Sequence, residues 1–245
     1  LIDKQNRAAG YGVGGGIVWD SDAAEEWQES LTKADVLMYR QPAFQLLETM
    51  RYDNQQGVHQ ATYHLDRMRA SADYFGFQFP ATRLADELSG YHNTANKKLR
   101  LLLSADGCYE LEVSDLPPVQ EVVRLIYAKE PVQSSNRFLF HKTTHRVVYE
   151  VASQNKGKFD DVLLFNERGE ITETTIYNIF VELDGELLTP AQECGLLAGT
   201  YRRKMLAEGL AKPAVISKQD LQRATRLFVA NSVRRLVLAT LESEI

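Results

Sequence analysis

The period of apolar positions changes along the chain, and each change marks an element. Leu65, Met68, Ala72 and Phe75 recur at the spacing of one helical face, and Gly76 is placed to end that helix. Leu46 to Tyr52 reads as a strand, separated from a second near Val58 by the polar turn Asn54 to Gly57. Val162-Leu163-Leu164-Phe165 and Ile171 flank Asn166-Glu167-Arg168-Gly169. Ile179-Phe180-Val181 and Leu187-Leu188 flank Asp184-Gly185, a two-residue hairpin signal. A helix is predicted from Gly199-Thr200 to Gly209, and Ser217 with Asp220 makes the start signature of another. Near the front, Ile17 to Trp19 reads as a short strand followed by a charged helix.

These elements sort into three regions: 1–37, with a glycine run and the charged helix; 38–131, where strand and helix patterns alternate; and 137–245, which opens with strands and ends with helices and a last strand. The turn-prone stretch Pro131-Val132-Gln133-Ser134-Ser135-Asn136 is expected to link the second and third.

The chain has 245 residues, enough for one large domain or two modest ones. Its net charge of −5 offers no basic face for nucleic acid, so an anionic substrate must be held by local Arg or Lys. Two distant cysteines, Cys108 and Cys194, make neither a disulfide framework nor a zinc pattern and suggest a reducing compartment, hence a cytoplasmic location. No apolar run approaches the ~20 residues that span a bilayer, and no signal peptide is visible. The chain starts at Leu1 rather than Met, and we expect a fragment of a longer polypeptide.

Gly12-Val13-Gly14-Gly15-Gly16 leads into a strand-like segment rather than a helix, which argues for a close-packed turn over a phosphate loop. Glu26, Glu29 and Lys33 share one face of the charged helix, with Trp27, Leu31 and Ala34 on another. Carboxylates one turn apart can hold Mg²⁺, but that spacing also describes an ordinary solvated face.

Arg137-Phe138-Leu139-Phe140-His141-Lys142 reads as a strand entering a turn or helix. Lys142 shares parity with Phe138 and Phe140, so it either points inward with them or lies past the strand end in water. An inward lysine is costly as a cation and tends to lose its proton or react as an amine. Glu173 shares parity with Ile171, Tyr177 and Ile179. It is either a carboxylate needing a cationic partner, such as a protonated pyridine nitrogen, or a strand-end residue in water. Three further elements suit a phosphate. They are the fork of Arg67, the helix start at Thr200 and Tyr201 with its free N–H groups, and Asn231-Ser232 after the strand Leu227-Phe228-Val229.

Taken in order, His141-Lys142-Thr143-Thr144-His145-Arg146, Glu173-Thr174-Thr175-Ile176-Tyr177-Asn178, Thr189-Pro190, Gly199-Thr200-Tyr201-Arg202 and Asn231-Ser232-Val233-Arg234 resemble fold-type IV enzymes that use pyridoxal 5'-phosphate. That resemblance covers roughly residues 40–240 and implies an α+β, two-domain fold, with a small α/β N-terminal domain and a larger cofactor-binding domain. It implies that Lys142 forms the Schiff base and shuttles protons, and that Glu173 pairs with the pyridine nitrogen. Arg67, the backbone at Thr200 and Tyr201, and Asn231-Ser232 would hold the phosphate. Arg146, the Asn231–Arg234 loop and Leu47-Glu48-Thr49-Met50-Arg51 lean towards the aminodeoxychorismate lyases within the class. Three departures stand out: His145 replaces a usual asparagine, Tyr201 a usual threonine, and no Gly-Asp-Gly precedes Leu47.

Tyr11 to Asp22 with Glu26, Glu29 and Lys33 is similar to the C-terminal end of chorismate-using synthases, para-aminobenzoate synthase component I being the nearest case. There the paired glutamates help hold magnesium. So short a tail predicts no synthase activity and no metal site here, but it fits a fusion joining consecutive folate-pathway steps. The lyase reading expects 4-aminobenzoate and pyruvate as products, with Arg234, then Arg146, on a substrate carboxylate. It also expects a homodimer, by resemblance only. The alternatives are a branched-chain or D-amino acid aminotransferase on the same fold, and a non-catalytic domain that binds chorismate-like ligands or acts as a scaffold.

Overall fold

The computed structural model describes residues 2–3, 8–16, 18–34, 42–154 and 156–242. The chain divides into two units, Leu1–Ala43 and Phe44–Ile245.

The first unit pairs β1 (Ile2–Asp3) with β2 (Ala8–Ala9) and carries α1 (Ala23–Ala34). Asp22 starts α1 by accepting the N–H groups of Ala24 and Glu25. The strand expected at Ile17 to Trp19 is not seen at Val18 and Trp19, while Ile17 lies outside the described residues. Val18 and Ser21 instead close a turn, Val18 N donating to Ser21 Oγ and Ser21 N to Val18 O. Glu29 is paired with Lys33 at 2.6 Å, Glu26 accepts from Ser21, and no residue of α1 is buried within the molecule.

The second unit holds two sheets. The smaller has strand order β4-β3-β5-β6, from β3 (Leu46–Asp53), β4 (Gly57–Val58), β5 (Lys97–Leu103) and β6 (Tyr109–Asp115). Helices α2 (Ala61–Phe75) and α3 (Ala81–Gly90) cover one face, where Leu46, Met50, Leu99 and Leu101 pack with Met68, Ala72 and Leu84. Because side chains alternate along a strand, the other face carries Thr49 and Arg51 beside their register partners Arg100 and Lys98. Gly76 ends α2 at φ 72°, a left-handed cap that only glycine adopts without strain.

The larger sheet has β7 (Val122–Tyr127), β8 (Asp161–Phe165), β9 (Ile171–Thr174), β10 (Asn178–Leu183), β11 (Glu186–Pro190), β12 (Lys212–Ala214), β13 (Arg226–Asn231) and β14 (Arg235–Glu242). Its order is β12-β11-β10-β13-β14-β7-β8-β9, and a further β9–β10 pairing closes β10, β13, β14, β7, β8 and β9 into a ring. Val123, Leu125, Leu163, Ile179 and Val229 pack together as its core. The helices are α4 (Val147–Ser153), α5 (Thr200–Ala207) and α6 (Lys218–Arg223), the last begun by the Ser217/Asp220 capping box. The Asp184-Gly185 hairpin joins β10 to β11 with both residues at positive φ, as a two-residue turn matched to strand twist requires.

Two expectations change. The chain passes from one sheet to the other between Asp115 and Val122, ahead of the stretch 131–136, because β7 pairs with β14 and β8. That stretch is itself anchored, with Val132 buried and its N–H donated to Phe165 O. Secondly, the segment before Lys142 is no strand. Arg137–Leu139 forms a 3-10 turn, started by Asn136 Oδ1 accepting from Phe138 N, so alternation with Phe138 and Phe140 does not apply. Lys142 is oriented by β3 instead: Leu47 N donates to Lys142 O at 2.9 Å, and Thr144 N to Gln45 O at 2.9 Å. Among the described residues no helix is long and apolar enough to cross a membrane.

Candidate active site

A cavity of about 450 Å³ lies where the polar face of the small sheet meets the ring. Lys142, Glu173, Arg67, Arg146, Thr200, Asn231, Ser232 and Arg234 all line it. Tyr201 is not among its lining residues; the ring of Tyr201 packs with Phe180 and Met205, leaving only its backbone towards the helix start.

Among the described residues the Lys142 amine makes no hydrogen bond or ion pair. Burial, then the nearby charges of Arg67 and Arg146, bring its pKa down from 10.5 to about 8. A larger fraction is therefore neutral, and nucleophilic, near neutrality than for a lysine in water.

Glu173 is 4% exposed, and burial raises its pKa from 4.5 to about 7. Two donors oppose that rise at one oxygen: Tyr149 Oη at 2.7 Å and Leu197 N at 3.2 Å, both to Oε1. Among the described residues Oε2 receives only Asn178 Nδ2, at 3.4 Å. A cation or N–H beside Oε2 would supply what burial removes. Arg146 braces the arrangement, its guanidinium 4.4 Å over the Tyr149 ring and hydrogen-bonded to Thr175 O.

At the opposite side α5 begins without a side-chain cap. The N–H groups of Thr200 and Tyr201 precede its first intrahelical bond and are open to an anion. A Cβ at Gly199 would fall 1.9 Å from Asn178 Oδ1, so a larger residue there must displace the Asn178 side chain. Arg67 is less free than a phosphate-binding fork was expected to be. Its Nε and Nη2 bond to Glu48 at 2.8 and 2.5 Å, and its Nη1 to Ala198 O at 3.0 Å. Ser232 Oγ donates to Thr49 O at 2.6 Å, clamping the 231–234 loop to β3, and Asn231 Oδ1 accepts from the N–H groups of Val233 and Arg234. Arg234 Nη1 is oriented by Pro118 O and Gln120 Oε1.

The structure adds residues that the sequence reading missed. Lys98 and Arg100 line the cavity from β5, and their parity with one another on a strand was the available signal. Tyr149 follows Arg146 by three on one helical face. Glu48 breaks the apolar parity of Leu46, Met50 and Tyr52, and His64 sits with Met68 and Ala72 on the buried face of α2.

A free amine, a buried carboxylate with one open oxygen, and a helix start left open by Gly199 suit the aldehyde, ring nitrogen and phosphate of pyridoxal 5'-phosphate. Comparison with known proteins agrees. Residues 45–240 match the model of the amino-transferase class IV family. The chain belongs to that family. Residues 1–39 match the chorismate binding enzyme family. A Schizosaccharomyces pombe protein provisionally named aminodeoxychorismate lyase is 28% identical over 202 residues, 78% of this chain and 87% of that protein. A Mesorhizobium loti structure, provisionally an amino-acid aminotransferase, is 37% identical with a TM-score of 0.76, covering 81% of this chain and all of that one. The 4-amino-4-deoxychorismate lyase of Pseudomonas aeruginosa has the same fold, at 19% identity and a TM-score of 0.71, covering 82% of this chain and 84% of its own. The chain is thus a fold-type IV enzyme of the lyase and aminotransferase kind, a family whose members use pyridoxal phosphate.

Proposed function

We propose that the chain is a pyridoxal-phosphate-dependent 4-amino-4-deoxychorismate lyase, yielding 4-aminobenzoate and pyruvate. The observation that carries this over the aminotransferase alternative is the charge of the cavity. Arg146, Arg234, Lys98 and Arg100, the last also paired with Glu112 at 3.1 Å, line it together, which suits both carboxylates of aminodeoxychorismate and exceeds what the single carboxylate of a branched-chain amino acid needs. The relative from Schizosaccharomyces pombe supports the same reading.

The bound cofactor supplies an aldehyde for the substrate amine and a ring that withdraws electrons. Lys142 would carry that aldehyde at rest and, once displaced, act as the base. Its amine, with a pKa of about 8, takes the proton from the substrate carbon bearing nitrogen. Glu173, through Oε2, would hold a proton on the ring nitrogen. The bond to the enolpyruvyl oxygen would then break, leaving an aromatic ring; Lys142 would return its proton to the departing enol as it becomes pyruvate, and its neutral amine would take back the aldehyde and free the aromatic amine. Thr200 and Tyr201 N–H groups, Arg67 and the Asn231-Ser232 loop hold the phosphate. Arg234, with Arg146, Lys98 and Arg100 around it, orients the substrate carboxylates.

Residues 1–39 support a place within a longer chain bearing a chorismate-binding domain, which would deliver the aminated intermediate to this site. Family resemblance supports a homodimer. Incubating the chain and cofactor with aminodeoxychorismate should release 4-aminobenzoate and pyruvate in equal amounts without any keto acid. Amino-group exchange between a branched-chain amino acid and 2-oxoglutarate, without those products, would instead establish the aminotransferase.

A further inference from the structure

Behind the helix start of α5 lies a buried polar chain that the proposed reaction does not use. Glu48 is 1% exposed, His64 0% and Thr200 3%. His64 Nδ1 is 2.6 Å from Glu48 Oε2, and His64 Nε2 is 3.2 Å from Thr200 Oγ1. Glu48 also takes both bonds from Arg67. The chain thus runs from α5 through α2 to β3 and back to α2.

The protons in this chain can be assigned. Burial works to raise the Glu48 carboxyl, but the Arg67 charge and the hydrogen bonds from Arg67 and His64 outweigh it and hold it well below the usual carboxylate range, so Glu48 is ionised and only accepts. His64 Nδ1 must therefore donate. Burial lowers the His64 pKa, favouring the neutral ring, so Nε2 is the acceptor and the Thr200 hydroxyl donates to it. Two consequences follow. The Thr200 hydroxyl proton is committed inward, leaving the backbone N–H groups of α5 as the donors to an anion. The charge of Arg67 is already offset by Glu48, so Arg67 offers an incoming phosphate directed N–H groups rather than an uncompensated cation.

We propose that Glu48 and His64 are positioning residues of the cofactor's phosphate site. Glu48 fixes the plane of the Arg67 guanidinium, and His64, through the Thr200 side chain, fixes the first turn of α5. This rests on the reading that the cavity takes pyridoxal phosphate.

Geometry and electrostatics make opposite forecasts for one substitution. Glu48→Gln removes a negative charge beside Arg67, so attraction alone would tighten phosphate binding. Lost alignment would weaken it. The measurement is the dissociation constant of pyridoxal 5'-phosphate and, separately, of pyridoxal, which lacks the phosphate, read from the absorbance of the lysine-bound chromophore. Expected for Glu48→Gln, and for Thr200→Val as a milder variant, is a loss on the order of tenfold for the phosphorylated compound, with little change for pyridoxal. Thr200→Ser, which keeps the hydroxyl, should restore affinity. Tighter binding by Glu48→Gln, or equal losses for both compounds in the two variants, would overturn the proposal. A wild-type chain that binds neither compound would sink the cofactor reading itself, and this inference with it.

Discussion

Tyr149 Oη donates a 2.7 Å hydrogen bond to Glu173 Oε1, shorter than those from Leu197 N and Asn178 Nδ2 and supplied by the helix that follows Lys142. The bond occupies Oε1 rather than the sparsely contacted Oε2, and resists the upward push of burial on the Glu173 pKa. Tyr149→Phe should therefore raise that pKa further above about 7. Removing a hydrogen bond to a charged group is worth roughly 1.5–3 kcal/mol, about one to two pKa units. The check is the titration of the Glu173 carboxyl in the cofactor-free protein, followed by carbon NMR, whose midpoint should move upward; an unmoved midpoint would mean that Tyr149 only packs.

The same carboxylate predicts how the cofactor-free protein responds to pH. Its pKa rises from 4.5 to about 7 on folding, so between those values the folded chain holds a proton that the unfolded chain releases. Stability from this group is complete below 4.5 and is lost as pH rises through about 7. Glu173→Gln should match the wild type near pH 4.5 and be more stable by up to roughly 3 kcal/mol at about pH 8, while losing turnover. Thermal melts across that range decide it, since a pH-independent difference would contradict the linkage.

Lys142→Ala should abolish both pyruvate release and the yellow chromophore of the loaded protein. Borohydride treatment of the wild type, followed by peptide mapping, should place the label on Lys142 within the His141–Arg146 string. A label on another lysine would remove the assigned base.

Gly199→Ala should weaken cofactor binding more than any neighbouring substitution, because its new methyl group meets Asn178 Oδ1 at 1.9 Å. Asn178 also bonds Leu197 O and reaches Glu173, so its displacement disturbs both ends of the cavity. Overpacking of this kind destabilises by about 1–3 kcal/mol. A lower melting temperature with a weaker cofactor titration is expected, and unchanged titration would show that the loop moves aside.

On the substrate side, Arg234→Ala should raise KM for aminodeoxychorismate and lower kcat/KM by roughly 10- to 100-fold, the loss of one charge-assisted hydrogen bond. Steady-state kinetics separate this from a fall in kcat alone, which would place Arg234 at the reacting centre instead.

Much of this arrangement was legible in the sequence, for identifiable reasons. Hairpins at Asp184-Gly185 and Asn166–Gly169, the Gly76 cap and the Ser217/Asp220 box depend on neighbours in sequence, and all stand where local chemistry placed them. Lys142 and Glu173 were legible as a lysine and a carboxylate in order, but their surroundings were not. Lys142 is held by β3 of the other sheet, and Arg67 answers Ala198 O far along the chain. Glu48 and His64 gave weak signals, single polar residues among apolar ones, whose meaning depends on a mutual contact that periodicity does not encode. The strand expected before Lys142 failed because Asn136 captures Phe138 N and starts a 3-10 turn.

Strand β3 serves two masters with consecutive residues: Glu48 turns inward to Arg67, while Thr49 looks onto the cavity and offers its carbonyl to Ser232. Such an arrangement has no tolerance for phase. Gaining or losing one residue between Leu46 and Tyr52 would exchange these faces, presenting a carboxylate to an incoming anion and a hydroxyl to the guanidinium. Relatives that have drifted in length should therefore have done so in the Asn54–Gln56 turn and left the count of this strand untouched.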